Sequence, residues 1–306
     1  MHEVLVVGGG PAGMAAALAL GRARRRVLLI DGDEPRLGDG RTRRGVVMVD
    51  DDVVSASGQL DRIDLLAYRT IDVHAGSVSA IARDGDRFVA RLHDESHAEA
   101  RRVILATGVR DELSPIHGLA EMWGRGVYPF PEYDGWDQRD RPLAVLGAGT
   151  AGAEMAAQVR QLTGDVVLLT NGPAEIDGRD LALLRDRGIA VRETPVAWVV
   201  GGAGGLERIG FVHGTELARS ALFLRPRVRP RTDLADGLGC ALTTDGPSVG
   251  LIRVDAMGRT SVPGVYAAGD VANPLRRRVV AAGSGTGAGI AASIDLVHSR
   301  LGHRTP

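Results

Sequence analysis

The feature that most restricts this chain is a glycine turn that occurs twice in the same frame. Val4, Leu5, Val6 and Val7 form an apolar, β-branched run, followed by Gly8-Gly9-Gly10-Pro11-Ala12-Gly13 and the alanine-rich stretch 14–20. The pattern reads as strand, turn and helix. Gly8, Gly10 and Gly13 fall on G-x-G-x-x-G. The first glycine allows a sharp turn, the second lets a pyrophosphate approach the backbone, and the third lets helix and strand pack closely. The helix start adds free N–H groups and the positive end of a dipole. A second buried strand, Val27-Leu28-Leu29-Ile30, ends in Asp31. That is about twenty residues on, where a carboxylate can accept from an adenosine ribose hydroxyl. The frame returns at Leu143-Ala144-Val145-Leu146 with Gly147, Gly149 and Gly152, then a helix and the strand Val166-Val167-Leu168-Leu169, which ends in Thr170-Asn171-Gly172. Two α/β dinucleotide-type units in tandem are therefore expected.

The length of 306 residues suits two domains. A net charge of −1 gives no electrostatic case for nucleic acid. All 37 basic residues are arginine, which removes lysine Schiff-base chemistry and a Walker lysine. No apolar run approaches the roughly 20 residues of a membrane span, and no signal peptide precedes the first strand, so a cytoplasmic protein is expected. The histidines show no ligand spacing and no metal site is read. Cys240 is the single cysteine, so no internal disulfide can form.

Between the glycine turns, helical spacing covers 60–68 and strand candidates cover 73–81, 87–92 and 101–106, with a hairpin turn at Asp84-Gly85-Asp86. The third candidate runs into Ala106-Thr107-Gly108. Residues 110–125 read as a connector. Near the end, Val265-Tyr266-Ala267-Ala268 closes on Gly269-Asp270, and 281–299 is glycine-rich at first and then helical.

These residues together resemble the thioredoxin reductase-like group of flavin-dependent pyridine nucleotide–disulfide oxidoreductases, closest to the branch with the natural-product dithiol oxidases. The resemblance covers essentially the whole chain. It implies two Rossmann-like domains with a discontinuous FAD domain, about 1–113 and 230–306, around a second, NAD(P)H-binding-like domain at about 114–229. It also implies a symmetric dimer. In the first domain it assigns the FAD pyrophosphate to Gly8, Gly10, Pro11, Ala12 and Gly13, the adenosine ribose to Asp31, and the adenosine half to Arg36 and Val78. Thr107 and Gly108 would pack under the cofactor, with Gly269 and Asp270 at the ribityl chain. Arg277, followed by Arg278 and Val279, would lie at the flavin pyrimidine edge.

Three departures from the family shape the functional expectation. The redox motif Cys-x-x-Cys-Asp-Gly is replaced by Phe130-Pro131-Glu132-Tyr133-Asp134-Gly135, so both sulfurs are missing. The basic cluster that holds an NADPH 2′-phosphate is absent after Leu169, which leaves nicotinamide nucleotide binding open. Arg277 stands where the family carries glutamine, placing a cation where charge gathers on reduced flavin. The expected function is an FAD oxidoreductase acting directly on a small organic substrate, with Asp134, Tyr133 and Glu132 as proton carriers beside Phe130 and Trp136. Two alternatives stay open: an NAD(P)H-dependent flavin or ferredoxin-type reductase, and a flavin-binding protein without catalysis.

Overall fold

The computed structural model describes residues 1–32, 65, 67–246 and 249–301. Expectations for Arg36 and for most of the helix at 60–68 lie outside the described residues. The described residues form two compact units, one containing those up to Arg110 and those from Val228 onward, the other Asp111–Arg227. The strands Val109–Glu112 and Arg227–Pro230 pair where the chain leaves and re-enters the first unit.

The first unit is built on a parallel sheet in the order Ile71–Ala75, Val27–Asp31, His2–Val7, His97–Leu105, Val265–Ala267. The centre of the sheet is apolar because it is covered on both faces: Val4, Leu5, Val6, Leu29, Val103 and Ile104 are all fully buried. Val78–Asp84 and Arg87–Leu92 add an antiparallel hairpin beside the first half of His97–Leu105. Its turn is the expected one, with Asp84 opposite Arg87 and Gly85 at φ +62°. The expected strand at 73–81 is two strands, Ile71–Ala75 and Val78–Asp84, divided at Gly76 and placed at opposite ends of the strand order.

The second unit repeats this wiring in four of its five parallel strands. Its parallel order is Ala190–Arg192, Val166–Leu169, Leu143–Leu146, Ala221–Leu224, Val127–Tyr128. A three-stranded antiparallel meander, Val196–Gly202, Gly205–Phe211 and Glu216–Ala218, takes the place of the hairpin. Each unit thus presents a glycine turn at the carboxyl end of its central strand.

The C-terminal helix spans Arg278–Arg300, so the glycine-rich stretch is already helical. The reason is contact with the first helix, Pro11–Arg22. A Cβ on Gly285 would lie 2.0 Å from the Ala12 carbonyl oxygen, and one on Gly289 would lie 2.8 Å from that of Ala16. This helix is long and apolar enough to cross a membrane by length and composition, against the expectation that no such run exists. Half of its most apolar window is buried in the protein, where Ala281, Ala288, Ala291, Ala292 and Leu296 join the first unit's core. A core helix made of alanine and glycine gives the same hydropathy as a span.

Candidate functional site

In the first unit the glycine turn is held open by its neighbours. The Gly8 N–H donates to the Ile30 carbonyl at 2.8 Å, and Gly8 takes φ +105° with Ala106 pressed against it. A Cβ on Gly13 would lie 1.8 Å from the Gly8 carbonyl oxygen, so only glycine fits there. Gly10 has open space where a Cβ would point. The helix begins with Pro11 and has no side-chain cap, which leaves its first N–H groups directed at the turn.

Of the remaining first-unit residues, Asp31, Val78, Thr107, Gly108 and Gly269 lie at the same end of the sheet. Asp31 Oδ1 accepts from the Gly9 N–H at 2.9 Å, tying the end of the second strand to the turn. The Asp31 carbonyl accepts from Gly76 N–H at 2.9 Å, which brings buried Val78 to this end as well. Ala106 N–H donates to Val7, so Thr107 and Gly108 follow directly beside the turn. A Cβ on Gly269 would lie 2.8 Å from Ala12 Cβ, and the Gly269 N–H donates to Ser284 Oγ at 2.9 Å. Ser284 was not expected, since a serine in a glycine-rich run carries no distinctive signal. Arg277 caps the C-terminal helix, and its guanidinium donates to its own loop at the Leu275 carbonyl, 2.8 Å away. Arg278 and exposed Val279 open that helix.

The segment expected to carry catalysis is a short helix of the second unit, Pro131–Gln138. Proline at its first position and the carboxylates Glu132 and Asp134 in its first turn all favour a helix start. Glu132 is exposed, whereas Tyr133 and Asp134 are half-buried. Gly135 is buried, with a Cβ there reaching Leu162 at 2.3 Å. Trp136 points outward at 67% exposure, with the Arg139 guanidinium stacked 4.2 Å from its ring centre. Trp136 is therefore not part of an apolar wall within its own unit.

Cys240 sits in the first unit, buried against Leu234, Ala235 and Ile252. Burial pushes its thiol pKa up, only partly offset by the contact of its Sγ with Thr260 Oγ1 at 3.6 Å. A reactive thiol needs the opposite shift. Among the described residues, no group of three or more His, Cys, Asp or Glu could hold a metal ion.

At the carboxyl end of the second sheet lies a cleft of about 430 Å³ beside Leu146, Gly147, Thr170, Asn171 and Leu224, rimmed by Glu112, Arg225 and Arg227. A crevice outside the strand ends is where open α/β sheets bind ligands.

The sequence pattern of the pyridine nucleotide-disulphide oxidoreductase family matches residues 2–286. The chain belongs to that family. It is 35% identical to HlmI, whose crystal structure superposes with a TM-score of 0.87 over 98% of this chain and 94% of that one. It is 31% identical to an oxidoreductase from Agrobacterium tumefaciens, whose crystal structure superposes with a TM-score of 0.86 over 97% of this chain and 98% of that one. It is also 30% identical to thioredoxin reductase tcpT of Claviceps purpurea (strain 20.1), over 99% of this chain and 97% of the relative. The fold is the two-domain Rossmann type of the thioredoxin reductase-like group, and the cofactor is FAD. The open turn at Gly10 fits it, because a pyrophosphate needs backbone N–H groups with no Cβ in the way.

Proposed function

We propose that this chain is an FAD-dependent oxidoreductase that exchanges electrons with a small organic substrate directly at the flavin, with no redox disulfide between them. One observation carries the reading. The single cysteine is a buried, proton-retaining thiol in the first unit, while the helix in the family's dithiol position offers Phe130 at its cap and Tyr133 in its first turn. Neither side chain can relay electrons as a dithiol.

In this reading Gly8, Gly10, Pro11, Ala12 and Gly13 hold the pyrophosphate and Asp31 the adenosine ribose. Arg36 and Val78 serve the adenosine half, and Thr107 and Gly108 pack beneath the cofactor. Gly269 and Asp270 meet the ribityl chain, and Arg277, Arg278 and Val279 lie at the pyrimidine edge. FAD, when bound, supplies the two-electron acceptor or donor. The protein's own part is to move a proton, and Asp134 is assigned that role, with Tyr133 and Glu132 as further carriers. Arg277 adds a fixed positive charge. A secondary-metabolite substrate and a homodimer are the finer expectations, and both rest on the resemblance to natural-product dithiol oxidases.

General acid–base help is worth about 100- to 10,000-fold. Asp134→Asn should therefore cut turnover at least tenfold with FAD content unchanged, once anaerobic reduction of the flavin spectrum has identified an active organic reductant. Full turnover in that variant removes Asp134 from the role. A flavin that no organic reductant bleaches points instead to a binding protein without catalysis.

A further inference from the structure

The family is named for a pyridine nucleotide, and its second glycine turn is where that nucleotide would be held. We propose that the protein's own backbone occupies the second turn at Gly149, so that the cleft beside Gly147, though open, does not take a nicotinamide dinucleotide. The inference goes beyond the proposed function, since an oxidoreductase acting directly at the flavin could still accept electrons from NADH or NADPH.

The duplication inside the chain supplies the comparison. Both turns are fixed to their sheets by the same hydrogen bond: Gly8 N–H donates to Ile30 and Gly147 N–H to Leu169, the last residue of the neighbouring strand's apolar run in each case, although Gly8 alone takes a positive φ. The next glycine differs. Gly10 keeps φ −71° and has nothing within 4 Å of where a Cβ would point. Gly149 is turned to φ +61°, in the left-handed region, and its N–H donates to the Ala174 carbonyl at 2.8 Å. The Glu175 carbonyl oxygen lies 3.6 Å from the position of a Gly149 Cβ. Two carbonyl oxygens thus stand at the start of the helix Gly149–Val159, where the phosphate oxygens of a dinucleotide would have to approach. Oxygen facing oxygen repels, and the Gly149 N–H is already engaged by the Ala174 carbonyl.

The segment that closes the turn is anchored rather than draped. Thr170 Oγ1 donates to the Gly172 carbonyl at 2.6 Å, and Gly172 N–H donates to the Glu193 carbonyl at 2.9 Å. Asn171 Oδ1 accepts from Val196 N–H at 2.7 Å, and Glu193 Oε1 accepts from Ala174 N–H at 3.0 Å. Thr170 and Ala174 are buried. The same bonds occupy the strand-end position from which Asp31 serves the first turn, so Thr170 and Asn171 have their side chains committed to the loop.

The test uses the FAD-loaded protein and two readouts. Isothermal titration with NADH and with NADPH, each to about 1 mM, should give no saturable heat. Residue-resolved amide exchange should show the Gly149 N–H protected, unchanged by either nucleotide, and at least tenfold faster in Glu193→Ala. A dissociation constant well below 1 mM, with exchange at 149–151 slowed by the nucleotide, overturns the proposal. So does a Gly149 amide that exchanges like an open loop in the wild-type protein, even where no nucleotide binds. A Glu193→Ala variant with wild-type exchange at Gly149 overturns the anchoring on which the closure depends.

Discussion

Replacing two glycines two residues apart in the C-terminal helix should change stability in opposite directions. Gly283 and Gly285 lie in Arg278–Arg300, and alanine in a helix interior is favoured over glycine by about 0.8–1.0 kcal/mol. At Gly283 a Cβ meets nothing within 4 Å, so Gly283→Ala should keep most of that gain. At Gly285 the Cβ would sit 2.0 Å from the Ala12 carbonyl oxygen, with the Ala12 carbonyl carbon and Cα at 2.7 and 2.9 Å. Ordinary contact begins at 3.4 Å, so the two helices must separate by more than an ångström. The obstacle is backbone, which cannot rotate away. Overpacking costs about 1–3 kcal/mol, and the upper end applies here. Net of the helix gain, Gly285→Ala should be about 2 kcal/mol less stable than the parent, and about 3 kcal/mol below Gly283→Ala. Ala12 belongs to the glycine turn, so the same variant should release FAD more readily. Urea unfolding of the cofactor-free proteins, followed by circular dichroism at constant m-value, measures the first effect. Flavin fluorescence during dilution measures the second. Equal midpoints for the two variants would refute the close-packing argument.

Three other outcomes follow from the structure. Asp295 is almost fully buried, where it accepts from Arg259 Nε at 2.9 Å and Nη2 at 3.0 Å and from the Tyr266 hydroxyl at 2.6 Å. Burial raises its pKa, but the hydrogen bonds from Arg259 and Tyr266 outweigh this and hold it below the usual 3.8. A depressed carboxylate contributes stability that is complete above its unfolded pKa and is lost as pH falls through the folded value. Asp295→Asn should therefore cost about 3 kcal/mol at pH 7 and flatten the loss of stability below about pH 4, both read from denaturant midpoints against pH. Cys240→Ser should leave turnover within about twofold of the parent at equal FAD content, far from the tenfold that corresponds to about 1.4 kcal/mol. Mass spectrometry of the flavin released from purified protein should give FAD; recovery of FMN would contradict a site built around Asp31 and the first glycine turn.

Much of the fold was legible because several of its central parallel strands are apolar runs followed by a glycine turn or a short polar end. Val4 to Val7, Leu143 to Leu146 and Val265 to Ala267 all read correctly for that reason. The meander from Val196 to Ala218 was not read, since its strands are half-exposed and interrupted by glycines such as Gly201, Gly202 and Gly210. Gly210 is fixed by Trp198, whose ring lies where a Cβ would stand, a partnership across strands that local sequence does not display. The short helix at Pro131–Gln138 was singled out for its missing sulfurs and not for its conformation, although proline followed by two acids is a fair helix start. The buried ion pair of Arg259 with Asp295 joins residues 36 apart, and no spacing rule predicts it.

The two glycine turns show why a motif alone cannot assign a ligand. Both satisfy G-x-G-x-x-G, and in both the third glycine is required by contact with the first: Gly13 against Gly8 and Gly152 against Gly147. That part of the pattern serves the packing of helix on strand, and it persists whether or not a nucleotide is bound. The middle glycine is the one that faces a ligand, and its environment is set by the residues after the second strand. In the first unit, Asp31 accepts the Gly9 N–H and leaves the space at Gly10 open. In the second, Thr170 lets the loop fold back until the Ala174 carbonyl reaches Gly149. A sequence reading that weighs the strand-end residue and the loop behind it as heavily as the glycines would separate the two turns. On that reading, the first turn marks a cofactor site and the second marks a sheet that has kept its shape.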